Sequence, residues 1–333
     1  MSFSSPMCQL LTRRDSLACA DHLWVDPPFE PALAGSNVAI WTTDVANAER
    51  YRQIGLPVHE GLSVPDNIAE YAGVLLFWPK SVALGQWWLD TLCAALPDGH
   101  RLALVGEQQG GIKRVSKMLQ AMGMLAAKED NARRCALFAT KIVARPQQND
   151  GWMQFEALGM SLASHPGVFG HGKLDEGTAM LLETLPDKVR GSVLDVGCGG
   201  GIISAVLAKK GLEVTAVDVS HFALEATRRT LALNGVTATV IGSDMLSNVE
   251  GRFDTIVSNP PFHQARNVDI SPALTLFDQG PDHLYRHGVV FIVANTFLPY
   301  HGALSDQFSQ VEELAGNGRF RVYRAALPHR FAR

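Results

Sequence analysis

The sequence predicts an α/β protein built from two tandem Rossmann-like, doubly wound sheets, the first a degenerate copy of the second. Three observations lead there. The C-terminal half alternates strand-like and helix-like segments. A glycine-rich loop, Val193–Gly201 (VLDVGCGGG), closes the first of those strands. Segments of the N-terminal half also repeat segments of the C-terminal half in the same order.

In the C-terminal half the strand-like runs are Ser192–Gly197, Glu213–Val219, Ala238–Ser243, Phe253–Ser258 and Gly288–Asn295. Between them, His221–Asn234 carries Phe222, Leu224, Ala226, Leu231 and Leu233 as the apolar positions of a helix. Gly235 follows as its stop. Asn317-Gly318, between Phe308–Leu314 and Phe320–Leu327, predicts a hairpin on the same sheet.

In the N-terminal half, Tyr71–Pro79 (YAGVLLFWP) aligns with Phe253–Pro261 (FDTIVSNPP). Arg101–Gly106 then takes the place of Val289–Ala294, and Arg133–Ile142 (RRCALFATKI) echoes Arg319–Pro328 (RFRVYRAALP). No glycine-rich loop follows the first candidate strands, His22–Val25 and Val38–Thr42. Phe77-Trp78 stands where Asn259-Pro260 stands in the second half. The expected organisation is a degenerate domain over 1–145, a linker over 146–160 entered through Arg145–Asp150 (RPQQND), and the domain that carries the chemistry over 161–333. No core strand is expected between the linker and Val193.

A length of 333 residues suits two domains. The hydrophobic share of 47% and charged share of 19% are those of a soluble globular chain. No apolar run approaches the roughly 20 residues needed to cross a bilayer. The start, MSFSSPMCQLLTRRD, lacks a basic segment followed by an apolar one, so neither a membrane partner nor a secretory signal is expected. Cys8, Cys19, Cys93, Cys135 and Cys198 are scattered and form no CxxC pair. Disulfides and a metal site are not expected, and a reducing cytoplasm is. The net charge of −4 excludes bulk coating of nucleic acid but leaves room for a local basic face. Arg319, Arg321, Arg324, Arg330 and Arg333 crowd the tail with no acid among them, either as phosphate contacts or as a solvated terminus.

Ligands of α/β sheets bind at the carboxyl ends of the strands, where Asp195-Val196-Gly197-Cys198-Gly199-Gly200-Gly201 lies. The spacing is D-x-G-x-G-x-G rather than the G-x-G-x-x-G of dinucleotide sites. Asp218 ends the next strand, placed to accept from a ribose diol. Asp244 ends the one after, placed to meet an adenine amino group or to cap a turn. Acids suit a ligand with sulfonium and ammonium groups and repel a pyrophosphate, which favours S-adenosylmethionine over NAD. The cofactor candidates are Asp195, Gly197, Cys198, Gly199, Gly201, Asp218 with its neighbour Val219, Asp244 with its neighbour Met245, and Asn259. Cys198 reads as a small filler, since no base adjoins it.

Asn259, Pro260, Pro261 and Phe262 are the candidate catalytic residues. The Asn259 side-chain oxygen and the Pro260 carbonyl are two acceptors for the two N–H groups of an amine on a planar ring. Consecutive prolines stiffen the turn, and Phe262 is placed to stack on the base. His263 is a candidate substrate contact or a surface histidine. A base within a folded RNA would have to leave its stack to reach this turn.

These residues resemble the class I methyltransferases through DVGCGGG, Asp218 and NPPF. With His165–Asp175 (HPGVFGHGKLD), NPPFH, Ile292–Pro299 (IVANTFLP) and Gly318–Ala325 (GRFRVYRA), the chain is similar to the ribosomal RNA small-subunit methyltransferase C family. The resemblance is strong over about Gly151–Arg333 and weaker but collinear before it. It implies two tandem class I methyltransferase domains of which the second binds S-adenosylmethionine. It also implies methylation of N2 of a specific guanine in 16S rRNA, with the small ribosomal subunit as partner; a monomer is the expectation for the chain itself. By the resemblance Asp195, Gly197, Gly199 and Asp218 contact the cofactor, and Asn259 to Phe262 hold the guanine. Pro166–Phe169 and Asp175 lie in the segment leading into the site; Phe169, His263, Arg319 and Arg321 are the substrate-binding candidates. NPPF alone also resembles adenine-N6 methyltransferases and enzymes that methylate a glutamine of release factors. A non-catalytic assembly factor would be expected to lose Asn259 or the loop glycines, and this chain keeps both.

Overall fold

The structure is a computed structural model describing residues 3–13, 21–185, 187, 189–260 and 270–331. The chain divides into two compact units, Met1–Trp152 and Met153–Arg333.

In the first unit, β1 (His22–Val25), β2 (Ala39–Thr42), β3 (Val58–Glu60), β4 (Gly73–Phe77), β5 (Arg101–Glu107), β6 (Ala127–Ala132) and β7 (Cys135–Lys141) form one sheet. Its order is β3-β2-β1-β4-β5-β7-β6, parallel except at β7, which runs antiparallel to β5 and β6. β1 and β4 are apolar on both faces, as strands covered on both sides must be. Trp41 and Trp88 lie in the core on one face and Trp24 and Phe77 in the core on the other. Helix α1 (Pro6–Leu11) packs on that second face, and α2 (Val45–Gln53), α3 (Val82–Ala95) and α4 (Val115–Ala121) link the strands.

The second unit repeats this plan. β10 (Ser192–Val196), β11 (Glu213–Asp218), β12 (Thr239–Gly242), β13 (Phe253–Ser258), β14 (Leu284–Asn295), β15 (Phe308–Gly316) and β16 (Phe320–Pro328) are ordered β12-β11-β10-β13-β14-β16-β15, the same topology. Five helices accompany them among the described residues: α5 (Glu176–Thr184), α6 (Ile202–Lys209), α7 (His221–Leu233), α8 (Ser271–Gln279) and α9 (Tyr300–Ser305). Gly235 takes φ +65°, the left-handed stop expected after α7. The β15–β16 hairpin lies on the sheet edge as the turn signal predicted.

Strand registers place the repeat residue by residue. Val74 pairs with Leu23 and Leu102, and its counterpart Ile256 pairs with Leu194 and Val290. Trp24 therefore corresponds to Asp195, Thr42 to Asp218 and Phe77 to Asn259. Trp24 and Phe77 pack ring on ring, centroids 5.2 Å apart. Aromatic packing thus fills the first unit where the second holds polar groups.

Two expectations need correction. The echo of Arg133–Ile142 in Arg319–Pro328 is out of register by one residue, because Leu102 pairs with Thr140 and Val290 with Ala325. The β6–β7 turn has only Arg133 and Arg134, both at positive φ, whereas β15–β16 turns through Asn317, Gly318 and Arg319. A one-residue slip would exchange the two faces of the strand. Second, β8 (Met153–Ala157) and β9 (Met160–Ser164) form an antiparallel hairpin where a linker and no core strand were expected. Its turn, Leu158-Gly159, has positive φ at both residues without the usual Asn-Gly signal. Met160 and Leu162 enter the core of the second unit.

Candidate active site

The loop after β10 is shaped by its glycines. Gly197, Gly199 and Gly201 have φ of +73°, +54° and +78°, a region that side chains with a Cβ avoid. A Cβ on Gly201 would sit 2.7 Å from Thr227 Cα, so the loop abuts α7 directly. Thr227 Oγ1 donates to Gly199 O at 3.2 Å, and Thr230 Oγ1 to Gly200 O at 2.8 Å. At Gly197 nothing lies within 4 Å of a built Cβ. The loop is thus strapped on its helix side and open on the other.

Asp218, at the end of β11, accepts from Gly199 N–H at 3.0 Å and Ser220 N–H at 2.9 Å. Asp195 is fully buried below the loop and accepts from Ser204 Oγ at 2.6 Å. Its Oδ1 is buried with no hydrogen-bond partner. Burial pushes its carboxyl up to about 7 against the opposing Ser204 hydrogen bond. Burial likewise holds the Cys198 thiol well above its usual value, as befits a filler rather than a nucleophile.

Asn259 follows β13 directly. Its Nδ2 donates to Thr178 Oγ1 at 2.7 Å and to Asp175 Oδ2 at 3.0 Å. An ionised carboxylate only accepts, so the amide nitrogen faces α5 and Oδ1 is the end left to serve as acceptor. Asp175 is also the N-cap of α5, accepting from Thr178 N–H at 3.0 Å. One open cleft brings together Gly197, Cys198, Gly199, Asn259, Asp175 and Phe169.

The remaining candidates fall around this cleft rather than in its lining. Gly201 ends the loop against Thr227, Asp195 is buried in β10, and Asp218 and Val219 lie at the end of β11. Asp244 is exposed in the turn after β12, where its carbonyl accepts from Ser247 N–H, and Met245 there has φ +50°. Pro260 is buried; Pro261, Phe262 and His263 lie outside the described residues. Phe169 is 69% exposed at the rim. Arg319 pairs with Glu176 at 2.6 Å and Arg321 with Glu313 at 3.2 Å, both at the surface. Thr178, Ser204, Thr227 and Thr230 were not singled out from the sequence. Asp175 alone carries a helix-cap signal, and Thr227 and Thr230 recur three apart on one helix face.

The donor set fits S-adenosylmethionine: open space over Gly197, a carboxylate at the end of β11 for a diol, and an unpartnered buried carboxylate oxygen on Asp195 in a site of acids. Among the described residues no group of three or more His, Cys, Asp or Glu is placed to hold a metal ion. Nor is any helix there long and apolar enough to cross a membrane.

The sheet order, glycine loop and acceptor turn define a class I methyltransferase. The methyltransferase small domain matches residues 159–324, and its N-terminal companion domain matches 26–155. The ribosomal RNA small subunit methyltransferase C of Chromohalobacter salexigens is 48% identical, covering 99% of this chain and all of that one. The Yersinia pestis protein of the same name is 36% identical, covering 98% of this chain and 97% of its own. A solved structure, the T. thermophilus 16S rRNA N2 G1207 methyltransferase (RsmC) in complex with AdoMet and guanosine, matches with a TM-score of 0.85. It is 27% identical and covers 97% of this chain and 92% of its own. The chain belongs to the ribosomal RNA small subunit methyltransferase C family.

Proposed function

We propose that the protein methylates the exocyclic N2 of one guanine in 16S rRNA, the nucleotide corresponding to the G1207 of the T. thermophilus relative. The observation that carries this is the orientation of Asn259, its Nδ2 bound by Asp175 and Thr178 and its Oδ1 turned to accept, beside the glycine loop. Bound S-adenosylmethionine supplies an electrophilic methyl group. The lone pair of a guanine amino group is delocalised into the ring and is a poor nucleophile. Asn259 Oδ1 and the Pro260 carbonyl accept its two N–H groups, draw the nitrogen toward tetrahedral geometry and stabilise the positive charge that develops there. No strong general base is required, because the nitrogen becomes acidic as its bond to the methyl carbon forms and the sulfur–carbon bond breaks, and it gives up one of its two protons to water. Phe262 stacks on the base, and Phe169, His263, Arg319 and Arg321 contact the surrounding RNA.

In this account Gly197, Cys198, Gly199, Gly201 and Asp195 hold the methionine end of the cofactor. Asp218 and Val219 hold the ribose, and Asp244 and Met245 the adenine. The first unit binds structured RNA and performs no chemistry, its counterparts of Asp195, Asp218 and Asn259 being Trp24, Thr42 and Phe77. The enzyme works as a monomer in the cytoplasm, on the small ribosomal subunit; all described groups of the site come from one unit of one chain. The test offers labelled cofactor to small subunits, to naked 16S rRNA and to a release factor in parallel. Label in the small subunit supports the assignment, and label confined to the release factor overturns it.

A further inference from the structure

We propose that Asp175 and Thr178 are positioning residues for methyl transfer, acting through Asn259. Resting on the reading of Asn259 as the acceptor of the substrate amine, the proposal assigns to two residues beside it the task of orienting its amide. An asparagine side chain has two ends of similar shape, and only its oxygen can bind an amino group. If the amide turned over, its NH2 would face the substrate NH2 and block it. The second unit prevents that with two acceptors. Asp175 Oδ2 lies 3.0 Å and Thr178 Oγ1 2.7 Å from Asn259 Nδ2. The Thr178 hydroxyl donates its one proton to Asp175 Oδ2 at 3.4 Å, so its lone pairs are left for the amide. The carboxylate also polarises the amide. A charged acceptor on the NH2 favours the resonance form with more negative charge on Oδ1, which is the end that meets a nitrogen becoming positive.

The first unit supplies a comparison within the same chain. Its α1 packs on the same strands of its sheet as α5 does of the second. The N-cap of α1 is Ser5, which accepts from Cys8 N–H at 3.1 Å as Asp175 accepts from Thr178. The counterpart of Asn259 there is Phe77. Where the asparagine is replaced by a ring, the cap survives as a serine and the threonine is a cysteine. A cap alone needs only Ser; the longer, charged Asp and the hydroxyl of Thr178 occur where there is an amide to orient.

The experiment separates capping from orienting in the full-length enzyme. Asp175→Ser keeps a helix cap but is too short to reach Asn259, and Thr178→Val removes the hydroxyl at constant shape. Each is expected to leave the melting temperature within a few degrees and the cofactor Kd within about threefold, while single-turnover methyl transfer falls about 10- to 100-fold. In an Asn259→Ala background the same changes are expected to add nothing, since no amide remains to orient. As a second variant, Asn259→Asp sets two carboxylates together, and adding Asp175→Asn should restore part of the rate. A full further loss in the Asn259→Ala background, a raised cofactor Kd with an unchanged rate, or no rescue overturns the proposal. If the methylated group proves not to be guanine N2, the substrate assignment fails while this coupling still reads out on whichever amine is methylated.

Discussion

Gly199 N–H donates to Asp218 Oδ2 at 3.0 Å, joining the glycine loop to the strand beside it through one carboxylate. Asp218 therefore shapes the loop as well as presenting an acceptor. Asp218→Ala is expected to weaken S-adenosylmethionine binding at least about tenfold, or about 1.4 kcal/mol, with little change in the KM for RNA. Calorimetry measures it, and an unchanged Kd contradicts the role.

Gly201 and Gly197 share a left-handed backbone but differ in what surrounds them. Alanine at Gly201 would meet the Thr227 backbone at 2.7 Å, whereas at Gly197 it would meet nothing within 4 Å. Gly201→Ala is expected to destabilise the second unit by roughly 2–4 kcal/mol, strain and overlap together. Gly197→Ala should cost only about 1–2 kcal/mol but impair cofactor binding more than its stability loss explains. Urea unfolding and cofactor titration of the pair check both halves of this contrast.

Asp195 gives the fold a pH dependence of defined sign. Its carboxyl titrates near 7 when folded, against 3.8 when unperturbed. Below 3.8 both states hold the proton; between the two values the unfolded chain loses it first. Stability from this group therefore falls as pH rises through that window, and the full cost stands above about 7. Asn cannot ionise. The stability of Asp195→Asn relative to the parent is expected to shift in the variant's favour by about 1–3 kcal/mol from pH 5 to pH 8. A constant difference across that range contradicts the assignment.

Asn259→Ala is expected to retain cofactor affinity within about threefold and to lose turnover by about a hundredfold or more. A near-normal rate would remove Asn259 from the chemistry.

Deleting residues 1–152 removes the first unit whole. The remainder is expected to bind S-adenosylmethionine and to lose activity on structured rRNA; undiminished activity contradicts an RNA-binding role for that unit.

The fold was legible because both halves repeat one order of apolar strands, and buried parallel strands write themselves as apolar runs. The β8–β9 hairpin escaped because Leu158-Gly159 adopts a left-handed turn that Leu does not advertise. The register of β7 escaped because a turn one residue shorter leaves the flanking composition unchanged while exchanging the faces. In the site, Asn259 and the glycines could be read because few other residue types suit those positions. Thr178 could not, since its role depends on an 81-residue separation that folding closes to 2.7 Å. The aromatic filling of the first unit was half legible: Phe77 showed in the alignment, whereas Trp24 emerged only when strand register set it opposite Asp195.

The most direct test of the central claim is transfer of labelled methyl to small ribosomal subunits from cells lacking this enzyme, followed by nucleoside analysis of the 16S rRNA. The account predicts label in N2-methylguanosine at a single position. Label in N6-methyladenosine would contradict it.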